Sequence, residues 1–399
     1  MRSVRIAHTG DLHITEGLRF AGAVRCLDFI ARDAAEQKVD VVLVGGDLAG
    51  TQCPHRATPA ERNALADFFQ ACAETAPVVI LVGNHDQAAD AAIYSRLVGR
   101  HPILVVDRPH IVRAPGASIY CLPFPSKAWA VAGGAVAGDI TAQKGGVEEL
   151  LRTLLVSWRI DAETERAAGR ATVGLFHINI GGSVVGGGEV LIGREIELAP
   201  HDLAELGFDA GCLAHIHKRQ EMAPKWWYSG SPYAQNFGEA EDPKGYHLVE
   251  IDAGERAVIE FRPTPSPKLV TVRMEWGEDD QGIGVIGEDV PDQSVLADAE
   301  VRLIVMVHEE HADACDTERL AEKLRADGAL SVRVERRILP KTRVRSDAIS
   351  RAVTLEQQLA AFWDSLGDGA PSEEQRARCL EKLAELGREE SLVATEAAA

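Results

Sequence analysis

The chain has 399 residues, 46% of them hydrophobic and 26% charged, an ordinary globular composition that allows two or three domains. Its 61 acidic and 42 basic residues give a formal net charge of −19, which argues against a protein that holds nucleic acid by bulk electrostatics. The seven cysteines form no C-x-x-C pair and indicate neither a disulfide framework nor a structural zinc site.

The first residues, Met1–Ile6, lead directly into a predicted strand, without the apolar stretch and small-residue cleavage site of a signal peptide. No apolar run reaches the ~18 residues that a membrane-spanning helix needs. We therefore expect a cytoplasmic protein that does not bind membranes.

From residue 1 to about 265, short β-rich apolar runs alternate with helical stretches, which predicts an α/β sandwich. Helices are predicted at Ala23–Gln37, Glu61–Glu74 and Gly145–Arg159 because apolar residues recur there at helical spacing. The Ala- and Gly-rich segment Ala130–Gly138 indicates a surface insertion, and residues 130–170 have no assigned role. The predicted strands are Val4–Ala7, Val39–Val44, Val78–Val82, Ile103–Val106, Thr172–Phe176 and Asp209–Leu213.

A second, smaller unit is predicted after Arg262–Lys268, where three prolines indicate a stiff linker. The chain beyond Pro340 turns polar and ends in two helical stretches. The predicted domains are therefore residues 1–262, 268–340 and 341–399. The smaller unit is α+β, with strands Leu269–Trp276, Val301–Val307 and Ser331–Arg337 and the helix Thr317–Ala326.

Five groups of polar side chains follow five separate apolar runs. Because functional residues gather at the carboxyl edge of the strands in α/β sheets, we expect these groups to meet at one patch. Asp, His and Asn side chains suit Mn²⁺, Fe or Zn²⁺. The two-residue spacings of Asp11 and His13 and of His215 and His217 predict that both side chains lie on one side of a strand end. The groups are Asp11-Leu12-His13, Asp47, Asn84-His85-Asp86, His177 and His215-Ile216-His217.

Isolated histidines need a separate interpretation, since a lone histidine is more often a structural residue than a metal ligand. The order of the five groups, in contrast, is hard to explain by accident. The histidines predicted to be structural are His8, His101, His110, His201 and His247.

The five groups, together with the glycines before them, resemble the five signatures of the calcineurin-like metallophosphoesterases. The segments Tyr228–Pro232 and Lys244–Ile251 are similar to the SbcD-type nuclease subunits of bacterial SbcCD complexes. The resemblance covers most of the chain. It implies an α/β metallophosphoesterase β-sandwich flanked by helices, a small α+β capping domain and a C-terminal helical tail that binds a partner.

The resemblance also implies two divalent metal ions, Mn²⁺ by expectation, with Asp47 bridging them. Two cations held roughly 3.5–4 Å apart stabilise both the attacking and the leaving oxygen of a phosphodiester. His85 is expected to lie beside them and to donate a proton to the leaving 3′ oxygen or to stabilise charge there. The implied ligands are Asp11, His13, Asp47 and His217 for one ion and Asp47, Asn84, His177 and His215 for the other.

Two positions depart from the family pattern. Ala214 stands where the family usually has glycine before H-x-H, and we expect it to tighten the turn. Gly50 stands where some relatives have a histidine that supports the catalytic one. His55 is the candidate substitute, and a plain loop residue is the alternative.

A basic stretch near the predicted end of the small domain is a candidate for contact with DNA phosphates. A solvated strand edge and linker is an equally good interpretation. The candidate residues are Arg336, Arg337, Lys341, Arg343 and Arg345, with Arg333 and Arg351 on either side.

An apolar stripe runs along Thr354–Leu366, opposite the polar residues 356–358. It either folds back on this chain's own core or docks on the helices of another protein, and the Gly- and Pro-containing spacer 367–371 favours docking. The stripe consists of Leu355, Leu359, Phe362, Trp363 and Leu366.

The resemblance implies a manganese-dependent DNA nuclease, with double-strand exonuclease and single-strand endonuclease activity, in DNA repair and recombination. Its expected partners are DNA and an SbcC-like coiled-coil ATPase, with the chain forming a homodimer within the complex. One alternative is a stand-alone phosphodiesterase for small nucleotides, which the acidic charge favours. Another is a non-catalytic subunit that binds DNA ends, against which the complete ligand set counts.

Overall fold

The computed structural model describes residues 3–50, 56–125, 140–186, 196–252, 257–340, 354–366 and 370–383, without the side chains of 140–144. Five residues singled out from the sequence lie outside these ranges, as does the predicted insertion Ala130–Gly138. The five are His55, Lys341, Arg343, Arg345 and Arg351.

The strands and helices follow each other in the alternation that the sequence predicts. The strands are β1 (Val4–Thr9), β2 (Val41–Val44), β3 (Val78–Leu81), β4 (Ile103–Val106), β5 (His110–Ala114), β6 (Ala117–Leu122), β7 (Ala171–His177), β8 (Asn179–Ile180), β9 (Glu197–Leu198), β10 (Ala210–Ala214), β11 (Gln220–Ala223), β12 (Trp226–Tyr228), β13 (Gly245–Ile251), β14 (Val258–Pro263), β15 (Leu269–Asp279), β16 (Gly282–Asp289), β17 (Glu300–His308) and β18 (Ser331–Leu339). The helices are α1 (Phe20–Glu36), α2 (Pro59–Ala73), α3 (Ala88–Ala91), α4 (Ile140–Ala167), α5 (Pro200–Glu205), α6 (Gln293–Leu296), α7 (Thr317–Ala326), α8 (Leu355–Ser365) and α9 (373–383), with 3₁₀ turns at Ala92–Arg96, Phe237–Glu239 and Glu309–Ala314.

Two six-stranded sheets form the larger part of the fold. The first has the order β14-β13-β1-β2-β3-β4, and the second has the order β11-β12-β10-β7-β6-β5. Strands β1 to β4 are parallel, as are β6, β7, β10 and β12, while β5, β11, β13 and β14 pair antiparallel to their neighbours. The carboxyl ends of β1, β2 and β3 therefore share one edge of the first sheet, and those of β7 and β10 share one edge of the second.

Alternate residues along the strands divide the interior into three apolar layers. One layer lies between the sheets and takes Ile6, Leu43 and Val79 from the first and Val173 and Cys212 from the second. The opposite faces pack against helices, α1 and α2 on the first sheet and α4 on the second. Because both faces of each sheet are covered, the central strands read as continuous apolar runs. The expected sandwich flanked by helices is confirmed.

Helix α4 gives part of the unassigned segment 130–170 a structural role. It is longer than the predicted Gly145–Arg159, and buried side chains at spacings of three and four residues cover β6 and β7. Tyr120 of β6 donates a hydrogen bond of 2.8 Å to Asp161 of this helix. The buried residues of α4 are Val147, Leu151, Leu155, Trp158 and Ala162.

The start of the predicted linker was wrong by two residues. Arg262 and Pro263 belong to β14, where they pair with Tyr246 and Gly245. A proline is tolerated there because β14 is an edge strand, which needs no hydrogen bond from its outer side.

The smaller α+β region contains a four-stranded sheet of order β16-β15-β17-β18, one strand more than predicted, together with α7. The chain divides into two compact units: residues 1–274, 287–305 and 316–336 form one, and residues 275–286, 306–315 and 337–399 form the other. Among the described helices, none has the length and apolar character to cross a membrane.

Candidate active site

The five polar groups meet where the predicted strands end. Asp11 and His13 follow β1, Asp47 follows β2, and the 84–86 segment follows β3. His177 is the last residue of β7, and the 215–217 segment follows β10. Main-chain hydrogen bonds from Asp11 to Gly46 (3.0 Å) and from His13 to Asp47 (2.8 Å) hold the first two loops together.

Four of the candidate ligands have left-handed backbone conformations, with φ of 51° at Asp11, 40° at His13, 53° at Asp47 and 108° at His215. These side chains therefore project from turns beyond the strand ends, so their directions are set by the turns and not by the alternation of a strand. Such strained backbone persists where the surrounding structure enforces it, and it clusters at functional sites.

Asp47 lies at the centre of the site and is 1% exposed. Its Oδ2 lies 3.5 Å from the Nε2 atoms of both His13 and His177. Its Oδ1 accepts a hydrogen bond of 2.9 Å from the main-chain N–H of His85. One carboxylate oxygen thus faces two imidazole nitrogens, one from the loop after β1 and one from the end of β7, which is the geometry expected of a bridging ligand.

Asn84, His177 and His215 surround one side of Asp47. Asn84 Oδ1 lies 2.9 Å from His177 Nε2 and 3.1 Å from His215 Nδ1. The Nδ1 of His177 donates to the carbonyl of Gly45 at 2.7 Å, so neutral His177 carries its lone pair on Nε2. That nitrogen then faces two oxygen acceptors, an arrangement that a proton or a cation between them would satisfy.

Asp11, His13 and His217 lie on the other side. The carboxylate of Asp11 accepts hydrogen bonds of 2.9 and 3.1 Å from the main-chain N–H of His215. His13 Nδ1 donates to the carbonyl of Gly50, and the His13 ring lies 4.9 Å from that of His217. The Nδ1 of His217 donates to Glu239 at 3.2 Å.

The residues present fit a pair of divalent cations. His13 Nε2 is buried and has no hydrogen-bond partner among the described residues. Within the described part of the chain, two groups of side chains have donor atoms close enough to hold an ion, and both groups contain Asp47. They are His13, Asp47 and His85 in one, and Asp47, His177 and His215 in the other. Carboxylate, imidazole and amide donors without thiolates suit Mn²⁺, Fe or Zn²⁺.

The charges of the site shift its pKa values in opposite directions. Burial would raise the pKa of Asp47, but the neighbouring His177, His13 and His85 hold it well below its usual range. Burial lowers the pKa of His13 to about 3. Burial acts the same way on His177, but Asp47 outweighs it and raises that pKa to about 9. The site therefore keeps Asp47 ionised, the form that binds cations.

His85 lies beside this group. Its ring is 5.0 Å from that of His13, and its Nδ1 is buried without a hydrogen-bond partner among the described residues. The next residue, Asp86, accepts main-chain hydrogen bonds from Asp47 (2.8 Å), Leu48 (2.8 Å) and Gly83 (2.9 Å). Asp86 thus holds the Asp47 turn against the turn that carries His85.

Ala214 fits because its neighbours lack side chains. Its methyl group occupies the space next to Gly10 and Gly45, where an added Cβ on Gly45 would overlap it and one on Gly10 would lie 2.8 Å away. The methyl group that Ala214 has in place of the family's glycine therefore fills space at the junction of β1, β2 and β10.

The family model described as calcineurin-like phosphoesterase matches residues 4–219, a stretch that contains every candidate ligand. The chain belongs to this family. It is a metal-dependent phosphoesterase, a hydrolase of ester bonds, as the five signatures predict.

The likeness of this phosphoesterase to SbcD-type nucleases is also confirmed. The chain is 24% identical to SbcD of the SbcCD nuclease from Bacillus subtilis (strain 168) over 410 residues, covering 96% of this chain and 98% of the relative. Among solved structures, a dimetal phosphatase from Danio rerio matches with a TM-score of 0.43 at 10% identity, covering 65% of this chain and 96% of that one. GAP50, the anchor in the inner membrane complex of Plasmodium, matches with a TM-score of 0.41 at 11% identity, covering 72% and 88%.

The remaining predicted residues differ in burial. His8 and His247 are buried and stand opposite each other in the β1–β13 register, whereas His110 is exposed. Arg336 and Arg337 are exposed on β18.

The apolar stripe lies on α8, as predicted. Leu355 and Leu366 are exposed and Leu359 and Phe362 are half-buried. Trp363 is 6% exposed, and the guanidinium carbon of Arg376 lies over its indole ring, 5.6 Å from the ring centroid.

Two residues near the site were not predicted from the sequence to have a role in it. Nothing in the sequence around Glu239 distinguishes it from an exposed acidic residue. Lys244 stood out only as the first residue of a longer segment of resemblance. Both are buried behind His217.

Proposed function

We propose that this chain is the nuclease component of an SbcCD-like complex, a manganese-dependent enzyme that cleaves duplex DNA from its ends and single-stranded DNA internally. The observation that carries the proposal is the likeness to the SbcD relative along 96% of this chain. This likeness extends well beyond residue 219, where the phosphoesterase model ends, and so includes the smaller α+β region and the tail. A stand-alone phosphodiesterase would need neither.

The proposed cation sites follow the two sides of Asp47. Asn84, His177 and His215 would hold one cation with Asp47. Asn84 Oδ1 lies 2.9 Å from His177 Nε2 and 3.1 Å from His215 Nδ1, and His177 Nε2 lies 3.5 Å from Asp47 Oδ2. Asp11, His13 and His217 would hold the other, also with Asp47. Two cations held there would activate a water molecule and neutralise the charge that develops on the phosphoryl oxygens.

His85 supplies the protein's own chemistry in this proposal. Its main-chain N–H is fixed to Asp47 and its ring lies next to His13, which supports a position of its side chain beside the scissile phosphate in this proposal. From there the imidazole donates a proton to the leaving 3′ oxygen or stabilises the charge on it.

The partners in the proposal are DNA and an SbcC-like coiled-coil ATPase, with the nuclease forming a homodimer inside the complex. Arg336 and Arg337 are the first two candidates for DNA contact, and both are exposed on β18. Leu355, Phe362 and Leu366 offer apolar surface on α8 for the ATPase. These contacts would supply the nucleic-acid binding that the net charge of −19 does not.

The test is to digest end-labelled duplex DNA, circular single-stranded DNA and bis-p-nitrophenyl phosphate side by side, with Mn²⁺ or Mg²⁺. The proposal predicts that all three are hydrolysed with Mn²⁺. Hydrolysis of the small ester alone, with DNA intact even when the ATPase is added, would identify the stand-alone phosphodiesterase. Binding of DNA ends without hydrolysis of any substrate would identify the scaffold.

A further inference from the structure

The candidate ligand His217 is held from behind by a buried carboxylate. Glu239 is 0% exposed and lies in the 3₁₀ turn Phe237–Glu239. Its Oε1 accepts hydrogen bonds from His217 Nδ1 at 3.2 Å and from Asn236 Nδ2 at 2.7 Å. Its Oε2 accepts from the main-chain N–H of Gln235 at 3.1 Å. The carboxylate is thus fixed in place, and the ring of His217 is oriented by it.

Lys244 completes the arrangement. Its side chain is 3% exposed, and its ammonium group lies 2.7 Å from Glu239 Oε2. The same group donates to Ser231 Oγ at 2.9 Å and to the main-chain carbonyl of His217 at 3.2 Å. Lys244 therefore holds the backbone of His217 while Glu239 holds its side chain.

A buried ion pair is costly to desolvate and is weak evidence for stability by itself. Its location suggests what it does here. Both charged groups contact His217. Ser231 and Lys244 belong to the two segments that resemble SbcD-type nucleases, Tyr228–Pro232 and Lys244–Ile251, and neither segment contains a candidate metal ligand. A carboxylate that accepts from one ring nitrogen leaves the other in the unprotonated form that binds a cation, and it increases the donor strength of that nitrogen.

We propose that Glu239 and Lys244 are positioning residues that fix the tautomer and orientation of His217 toward its cation. This inference rests on the proposed function, which assigns His217 to one of the two cations. Partners of this kind typically contribute roughly 10- to 100-fold to metal affinity. We therefore expect Glu239→Gln to weaken one of the two cation sites by that factor and to leave the other unchanged.

The experiment is a calorimetric titration of the metal-free full-length chain with Mn²⁺. The variants are Glu239→Gln, His217→Ala and, as a matched control, Glu165→Gln, which removes a different buried carboxylate that pairs with Arg170 at 3.1 Å. The expected result is two sites in the parent and in the control, and the same single site weakened in the other two variants. If Glu239→Gln keeps two unaltered Mn²⁺ sites while His217→Ala loses one, the positioning role of Glu239 is wrong but the proposed function still stands. Two unaltered sites in His217→Ala would overturn the ligand assignment of the proposed function.

A double variant separates positioning from folding. In Glu239→Gln with Lys244→Met no charge is left unpaired, so thermal stability should recover relative to Glu239→Gln alone. Metal affinity should stay low, because the amide that replaces the carboxylate carries no negative charge to polarise His217. Recovery of both stability and Mn²⁺ affinity would show that the pair only supports the fold.

Nitrogen-15 spectra of the histidine rings give a further readout, since His217 should be a single Nδ1–H tautomer in the parent and a mixture in Glu239→Gln.

Discussion

At the scale of single residues, the site depends on close approach between loops. Gly83 lies so near Asp47 that an added Cβ would be 2.6 Å from the Asp47 main-chain nitrogen. Ala214 fills the equivalent space between β1 and β2 from the second sheet. The positions of the candidate ligands are therefore set by backbone packing as much as by their own side chains.

Gly45→Ala should destabilise the protein because the new methyl group would overlap that of Ala214. Overpacking of this kind costs roughly 1–3 kcal/mol. Replacing Ala214 with glycine removes the overlap, since the remaining neighbours of the new Cβ are 3.6 Å away or more. Urea denaturation should show Gly45→Ala less stable and the double variant with Ala214→Gly restored. Equal loss in both variants would mean that the contact is not the cause.

His85→Ala should keep both cations and lose catalysis by roughly 10²–10⁴-fold, the usual contribution of a general acid. The measurements are the rate of ester hydrolysis and the metal content of the purified variant. His201→Ala, an exposed histidine on α5, is the control and should behave as the parent. Because His85 also lies close enough to share an ion with His13 and Asp47, loss of one cation in the variant would make it a ligand instead.

At the scale of elements, a buried network ties the first helix to the strands that close the first sheet. Asp33 of α1 accepts hydrogen bonds from Tyr246 of β13 at 2.6 Å and from Arg262 of β14 at 2.8 and 2.9 Å. Burial would raise the pKa of Asp33, but the hydrogen bonds from Arg262 and Tyr246 outweigh it and hold that pKa below its ordinary value of 3.8.

A carboxyl group whose pKa is lower in the folded state than in the unfolded state stabilises the fold at any pH above its unfolded pKa. This stabilisation is lost as the pH falls through the pKa of the folded state. Asp33→Asn should therefore lower the free energy of unfolding by about 2 kcal/mol at pH 7. The difference between parent and variant should shrink as pH falls below 3.8. Glu260→Gln is the control, because its contact with Arg262 is exposed and contributes little. A difference that stays constant with pH would contradict the role of the Asp33 charge.

The core strands and most helices could be predicted because each buried strand is a continuous apolar run and each helix has a periodic apolar face. The five ligand groups could be predicted because parallel strands bring their carboxyl ends to one edge. Most of the remaining strands are short or mix polar with apolar residues, which gives a weak signal in the sequence. The strands that were not predicted are β5, β6, β8, β9, β11, β12, β13, β14 and β16. The left-handed backbone at Asp11, His13 and His215 was missed because it depends on hydrogen bonds between loops. Glu239 was missed because its partner His217 is 22 residues away and no motif joins them.

At the scale of the whole molecule, the tail is the part least tied to the phosphoesterase chemistry, since every candidate ligand precedes residue 218. A chain truncated after Ser350 should stay folded and keep metal-dependent hydrolysis of a small phosphodiester. It should lose ATP-stimulated degradation of duplex DNA when the ATPase partner is added. Unfolding of the truncated chain, or normal co-purification with the partner, would show that α8 belongs to this chain's own core.

Phe362→Ala in the full-length chain tests the same surface more narrowly. Trp363 is buried against Arg376 within the tail, so its substitution would disturb the tail itself, whereas Phe362 is half-buried. Loss of one buried phenylalanine at an interface costs about 2 kcal/mol, or roughly 30-fold in affinity. Binding of the ATPase is measured by titration with the purified partner, and an unchanged affinity would remove α8 from the proposed interface.

The central claim is that one carboxylate joins two cations in a phosphoesterase centre, and metal content measured together with hydrolysis tests it most directly. The parent, Asp47→Asn and the surface control Asp107→Asn are loaded with Mn²⁺, desalted and analysed by mass spectrometry for bound metal. We predict two ions per chain and full hydrolysis of bis-p-nitrophenyl phosphate for the parent and the control. Asp47→Asn should keep its fold, lose both tightly held ions and lose hydrolysis, because the oxygen that lies 3.5 Å from both His13 and His177 would carry no charge. Two tightly held ions in Asp47→Asn would contradict the bridging role.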